Sequence, residues 1–322
     1  MAILGINIIF LQFVYLLITI TKVIFYKLYF IKNYPWLNYK VAPTTEKLKD
    51  RNSYIITEIA WTIFSSTDII VLSTFVSTQI SSVYAVYNMI FSNLNVLLNA
   101  VYTNVSYVLG QTYYESKQKY MLVHDVFTSI FLGGMTILMC ICYVLILPFI
   151  QLYTRGVMDI NYIYTSLPLM FAIIQILSWS RYVTGYLTGI AGYANKVSKI
   201  SLLEAMINII LSMFLVKWFG IVGVLFATTI SLPFKIVYCI YLSDKKILNR
   251  SYKISIRILG MNYLFFMIIA YVNKFITLPI YTYLDFLKYA LIVSFICTLI
   301  GVGINILANP NCLKIVKMTK KV

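Results

Sequence analysis

Three groups of residues in this 322-residue chain have types and spacings that could serve a ligand. Asn88, Ser92, Asn95 and Asn99 recur at i, i+4, i+7 and i+11, with Tyr84 before them and Ser106 after, which places all of them on one helical face. Such a stripe either lines a hydrophilic cavity suited to sugar hydroxyls or bonds across to another helix. Arg181 and Glu204 are equidistant from a turn centred near Gly192 and Tyr193. In an antiparallel hairpin that symmetry sets them at one depth. There the arginine either helps to hold an anionic pyrophosphate, its charge balanced by Glu204, or forms with it a salt bridge that locks the hairpin. Asp68 lies deep in an apolar run, with Asn93 as its counterpart across the next hairpin. A carboxylate at that depth is a candidate for binding a coupling proton or sodium ion; otherwise it accepts hydrogen bonds from Thr67 or a neighbouring helix.

Other polar residues carry less. Lys235 is about two turns from its helix end and can reach the interface, Glu58 is near its helix start, and Arg155 falls in a loop. Pro148, Pro168 and Pro233 each kink or end a helix, since proline removes a backbone donor. There is no GxSxG, Walker loop, HExxH or paired-carboxylate motif, so the chain does not read as an enzyme and no catalytic or cofactor-binding residue is expected. Cys140, Cys142, Cys239, Cys297 and Cys312 form no CxxC pair, and the single histidine, His124, has no second ligand nearby. Neither a metal site nor a disulfide framework is therefore expected, and the cysteines read as small apolar packing residues.

The elements that must position these residues are membrane helices. Hydrophobic residues make up 61% of the chain and charged residues 11%, against roughly 45–50% and about 25% in soluble domains. Apolar runs of about 20 residues, the length that crosses a hydrocarbon core, recur near 4–26, 54–79, 82–110, 122–149, 161–190, 197–217, 220–243, 257–275 and 285–308. The expected fold is an all-α, polytopic membrane bundle of about nine transmembrane helices. The first run lacks a small-residue cleavage site, so it reads as a membrane helix rather than a signal peptide.

Net charge is +16, and its distribution argues for the membrane's inner face rather than nucleic acid. Lys27, Lys32, Lys40, Lys47, Lys49 and Arg51 fall in 27–53, followed on the same side by Lys117, Lys119, Lys196 and Lys199. Lys245, Lys246, Arg250, Lys253 and Arg257 come next, then Lys314, Lys317, Lys320 and Lys321 in the tail. The other side holds only Arg155, Lys217, Lys274 and Lys288. By the positive-inside rule the 27–53 segment and the C-terminus are cytoplasmic. Trp36 and the tyrosines of that segment suit the headgroup level.

Two stretches carry a family resemblance. The first is Glu58-Ile-Ala with Thr67-Asp68-Ile-Ile-Val-Leu-Ser73, followed by Ser82-Val-Tyr84-Ala-Val-Tyr87-Asn88. The second runs from Arg181 through Gly189, Gly192, Asn195 and Lys196 to Ser201-Leu-Leu-Glu204-Ala-Met-Ile-Asn208 and Phe219-Gly220-Ile-Val-Gly223. Both resemble signatures of the polysaccharide flippases of the MATE-like multidrug/oligosaccharidyl-lipid/polysaccharide exporter superfamily. The resemblance implies two pseudo-symmetric six-helix lobes with a final helix pair. On that pattern, 1–26 corresponds to the last helix of a first lobe, 27–53 to a cytoplasmic linker, 54–243 to the six-helix second lobe, and 244–322 to a loop, the final pair and a basic tail. The first five helices of the family pattern have no counterpart in the chain.

The resemblance implies a polysaccharide-biosynthesis transporter in a bacterial cytoplasmic membrane, flipping lipid-linked oligosaccharide with no cofactor. The bilayer, the lipid-linked glycan, and a separate N-terminal lobe or a homodimer partner would complete it. Two rivals stay open: a non-transporting scaffold or remnant in a glycan-assembly locus, and a small-molecule antiporter of the same superfamily.

Overall fold

The computed structural model describes residues 8–36, 50–157 and 159–312. The expectations placed on 1–7, on 37–49 with Lys40, Lys47 and Lys49, and on the tail lysines 314, 317, 320 and 321 lie outside them. Among the described residues the chain is helical without a strand: α1 (Ile8–Asn33), α2 (Arg51–Phe75), α3 (Thr78–Glu115), α4 (Lys117–Tyr153), α5 (Leu167–Ile190), α6 (Ala194–Ile240), α7 (Lys253–Val272) and α8 (Tyr283–Ala308). It divides into two compact units, residues 1–49 and 50–322. The described part of the first is essentially α1, a predominantly apolar helix whose lysines fall at 22, 27 and 32. This helix continues through Lys27 and Lys32 to Asn33, and α2 begins at Arg51, so both ends of the 27–53 segment are helical.

Among the described residues, six stretches are long and apolar enough to cross a membrane: Ile9–Asn33, Arg51–Phe75, Lys117–Tyr153, Ala194–Ile247, Lys253–Phe275 and Tyr283–Ala308. The protein is thus a helical membrane bundle, with fewer such stretches than the nine expected. Two physical features account for the difference. Helices α3 and α5 are long enough but less apolar, because α3 carries the Asn–Ser stripe and α5 carries Gln175, Ser178, Ser180 and Arg181. The long α6 also contains two arms that the sequence reading separated at Phe219 and Gly220.

Those arms lie side by side. Gly220 takes φ 54° and ψ −132°, the first central position of a type II′ turn, where only glycine sits without strain. The chain reverses there, so the Asn208 amide reaches Thr228 Oγ1 at 2.8 Å although 20 residues separate them. In an uninterrupted helix they would be about 30 Å apart. A Cβ on Gly223 would collide with the Leu215 carbonyl, so its absence lets the second arm press against the first.

Other boundaries follow from local chemistry. Ser77 and Ser116 accept hydrogen bonds from the amides of Ile80 and Lys119, which starts α3 and α4. Thr282 and Asp285 form a capping box that starts α8. Pro168 sits in the first turn of α5, where its missing N–H costs nothing, so that helix begins near 167 rather than 161. Pro148 and Pro233 lie inside α4 and α6 without ending either helix. The core that holds α3 to α5 is a stack of rings, with Tyr84, Tyr87 and Phe91 all packed on Phe171 at 5.2–5.9 Å between centroids. Beyond α6 the chain forms a π-helical turn (Tyr241–Ile247), so the expected break at 243/244 falls inside an element. Arg250, counted above among the headgroup-facing charges, instead folds inward onto Asp125 and Asp244.

Candidate functional site

The polar stripe of α3 lines an open cavity of about 450 Å³, with Ser92 and Asn99 exposed and Asn88 and Asn95 half-buried. Asn88, Ser92, Asn95 and Asn99 form one wall, Asp68 and Trp61 of α2 another, and Gln175, Trp179 and Tyr182 of α5 a third. The spacing explains the first wall, since i, i+4, i+7 and i+11 share a face. Trp179 and Tyr182, three residues apart on α5, present their rings to the same space, and the Trp179 indole donates to Asn95 Oδ1 at 2.9 Å. That bond orients the amide and leaves its NH₂ donors free for a ligand. Of the flanking residues, Tyr84 lines the cavity and Ser106 does not; the Ser106 hydroxyl donates to the Thr103 carbonyl.

Asp68 is 5% exposed and bonded only to neutral hydroxyls. Tyr84 donates to its Oδ2 at 3.3 Å, and Thr228 from the second arm of α6 donates to its Oδ1 at 3.0 Å. Thr228 in turn accepts from Asn208 of the first arm, so three elements converge on one carboxyl. Thr67 is not among the partners, because its hydroxyl is taken by the Ile63 carbonyl one turn back. Nor is Asn93, which bonds the Met89 carbonyl on its own helix, exposed. Two oxygens beside this network, Asn208 Oδ1 and Ser212 Oγ, are buried without a partner. Buried polar atoms are nearly always satisfied, so this corner has capacity for a proton, a water or a small cation.

Arg181 and Glu204 meet, Nη1 to Oε2 at 3.0 Å, each side chain 3% exposed. The structure brings them together at the common depth set by the α5–α6 turn, where Gly192 takes φ 79°. The guanidinium also lies 4.8 Å from the Trp61 ring centroid, and 5.2 Å from those of Phe64 and Tyr182. These rings shield the charge and attract it through their π faces. Arg181 lines a second cavity, of about 280 Å³, with Glu58, Tyr102, Tyr186 and Lys235. Trp61 and Tyr182 belong to both cavities, while Glu204 lines neither. The predicted residues therefore divide: Asp68 and the α3 stripe share one chamber, and Arg181 looks into its neighbour.

No family model, curated protein or solved structure matches this chain. Its chemistry therefore has to be read from the two chambers themselves. Five residues important to them were not singled out from sequence: Trp61, Trp179, Tyr182, Gln175 and Thr228. The i, i+3 pair Trp179 and Tyr182, flanking Arg181, was a usable signal. Thr228 had none, because its contact with Asp68 depends on the reversal at Gly220. Lys235 was read as reaching for the interface. Its ammonium instead bonds Ser201 Oγ at 2.6 Å across the α6 hairpin and lines the second chamber.

Proposed function

We propose that this protein is a transporter that flips lipid-linked oligosaccharide across a bacterial cytoplasmic membrane for polysaccharide biosynthesis. One observation carries the reading: amides and hydroxyls of α3 face indole and phenol rings of α2 and α5 across a single chamber. Sugars offer this pattern in reverse, with apolar C–H faces for rings and hydroxyls for amides. The adjoining chamber, with Arg181 and Lys235, suits the pyrophosphate linker. Asp68, with the free oxygens of Asn208 and Ser212 near its network, is the coupling-ion site in this scheme.

In this reading each arm of α6 crosses the bilayer, as do α3 and α5, which raises the crossings to nine. Basic residues then place the α2 start, the α5–α6 turn and the C-terminus in the cytoplasm. Asn93, Asn104 and Gln111 are exposed on α3, and amides facing hydrocarbon are costly. That face is consequently assigned to a water-filled space closed by a first lobe or a second copy, and transport to rocking about it.

A second reading has its own support. The larger chamber pairs a carboxylate with aromatic faces and holds no cationic side chain, which suits a lipophilic cation and an antiporter of the same superfamily. The two readings separate in a flippase-null cell expressing the chain with its neighbouring genes. Glycan export that falls at least tenfold when Asn95 and Asn99 become Leu, at normal protein level, supports the flippase. Unchanged export, with cation efflux abolished by Asp68→Asn, would transfer the assignment to the antiporter. A chain inactive in both assays would be a scaffold.

A further inference from the structure

A second polar cluster, outside both chambers, surrounds the only histidine in the chain. Arg250 donates from Nη1 and Nη2 to the two oxygens of Asp125, both at 2.7 Å, and from Nε to Asp244 Oδ1 at 2.8 Å. Ser255 at the start of α7 donates to Asp244 Oδ2 at 2.6 Å, and the Asn309 side chain beyond α8 donates to the Asp125 carbonyl at 3.0 Å. Asn249, with φ 52°, turns the chain so that Arg250 points back into the bundle. The cluster thus fastens both members of the final helix pair to α4.

Its charges do not balance. Two carboxylates, with side chains 9% and 3% exposed, face one guanidinium. His124 stands beside them, its Nδ1 3.6 Å from Asp125 Oδ1, with neither ring nitrogen hydrogen-bonded and the side chain 9% exposed. One turn to either side, Tyr120 Oη and Thr128 Oγ1 are also buried without partners, and Tyr120 stacks on the imidazole at 5.3 Å. A small cavity at this junction is lined by His124, Asp125, Thr128, Thr184, Ser243, Asp244 and Ser255 among others. The titratable or charged groups around it are Tyr120 and Asp125 from α4, Tyr113 from α3 behind Tyr120, Asp244 from the π-helical turn and Arg250 from the next loop. Helix α5 contributes Thr184 to the cavity and Tyr186 to the packing around Tyr120, and α7 contributes neutral Ser255.

We propose that His124 is a protonation site whose imidazolium supplies the missing positive charge of this cluster, so that proton binding tightens the attachment of α7 and α8 to α4. Imidazole is the side chain whose ordinary titration falls between about pH 5 and 8. The attachment is then strongest on the acid side and weakens as pH rises through the titration. The unsatisfied hydroxyls of Tyr120 and Thr128 give water a polar path to the ring. None of this depends on what is transported.

Because the histidine is unique, ¹⁵N-histidine labelling of the full chain in lipid nanodiscs yields one imidazole signal pair. Reversible gain of the second ring proton as the sample is acidified is the expected result; a ring fixed in one form throughout overturns the proposal. Thermal unfolding of the same sample supplies the second readout. The wild-type midpoint should fall with rising pH by more than that of His124→Gln. Equal pH dependence in the two proteins, despite a titrating ring, would reduce His124 to a bystander. Should the variant fail to fold, Arg250→Lys, which keeps the charge and loses the two-pronged grip, serves as comparison: its pH dependence should exceed that of the wild type, and an unchanged dependence counts against the attachment.

Discussion

Arg181 shows what a buried charge demands. Its partner Glu204 is 2% exposed, and Glu204 Oε1 has no hydrogen bond, so removing the arginine strands a carboxylate in a dry site. Arg181→Ala should therefore cost about 3–5 kcal/mol of stability, read as reduced folded yield and a lower melting temperature in detergent. Replacing both partners by neutral residues of similar size, Arg181→Met with Glu204→Gln, should restore most of that loss. If the double variant is stable and still inactive, the guanidinium serves the ligand; if it is stable and active, the pair is structural. Asp68 poses the opposite case, since every donor to it is a neutral hydroxyl. Asp68→Asn should leave stability within about 1 kcal/mol while abolishing ion-dependent transport, and a loss of folding instead would assign the carboxylate to structure. Thr228→Val strips a donor from Asp68 and an acceptor from Asn208, and should destabilise by about 1–3 kcal/mol.

At the scale of elements, the reversal of α6 is the feature on which the site depends. Without it Thr228 could not reach Asp68, nor Lys235 reach Ser201. Gly220→Val forces a side chain into a backbone region reserved for glycine, at a cost of about 1–3 kcal/mol, and should lower the folded yield far more than Gly134→Val, where nothing lies within 4 Å of an added Cβ. The reversal itself can be checked by cysteines at 208 and 228 in a cysteine-free background. They should crosslink under mild oxidation, whereas in a continuous helix about 30 Å would separate them. At the other end of the unit, α8 presses on α4 through small residues: a Cβ on Gly301 would strike Ile137, and one on Gly133 would strike Asn305. Asn262 and Asn305 exchange amide hydrogen bonds between α7 and α8, the kind of polar contact that joins helices where water is scarce.

For the whole molecule the arguments rest on apolarity and charge. Helices of this length and composition belong in a bilayer, and the orientation proposed above rests on the basic residues. If both arms of α6 cross the membrane, the turns at Gly192 and Gly220 lie on opposite sides. An impermeant thiol reagent added to intact cells should then label a cysteine at 218 and not one at 193. Labelling of both or neither would remove the nine-crossing arrangement. Fluorescence from a green fluorescent protein fused after Val322 would place the C-terminus in the cytoplasm.

Much of this was legible in residue order. Apolar runs specify membrane helices because hydrocarbon admits no unpaired backbone group, and the period of α3 determined that its four polar residues share a face whatever lies opposite. The Arg181–Glu204 contact was legible too, since a short turn between antiparallel helices matches residues equidistant from it. What lies opposite was not legible. The rings of Trp179 and Tyr182 became cavity walls only when α5 packed against α3, and Thr228 became a partner of Asp68 only when a single glycine reversed α6. Arg250 looked like one basic residue among many until the turn at Asn249 set it between two carboxylates. In each case the deciding contact joins residues far apart in the chain, and spacing along a helix holds information about its own faces but none about which neighbour each face will meet.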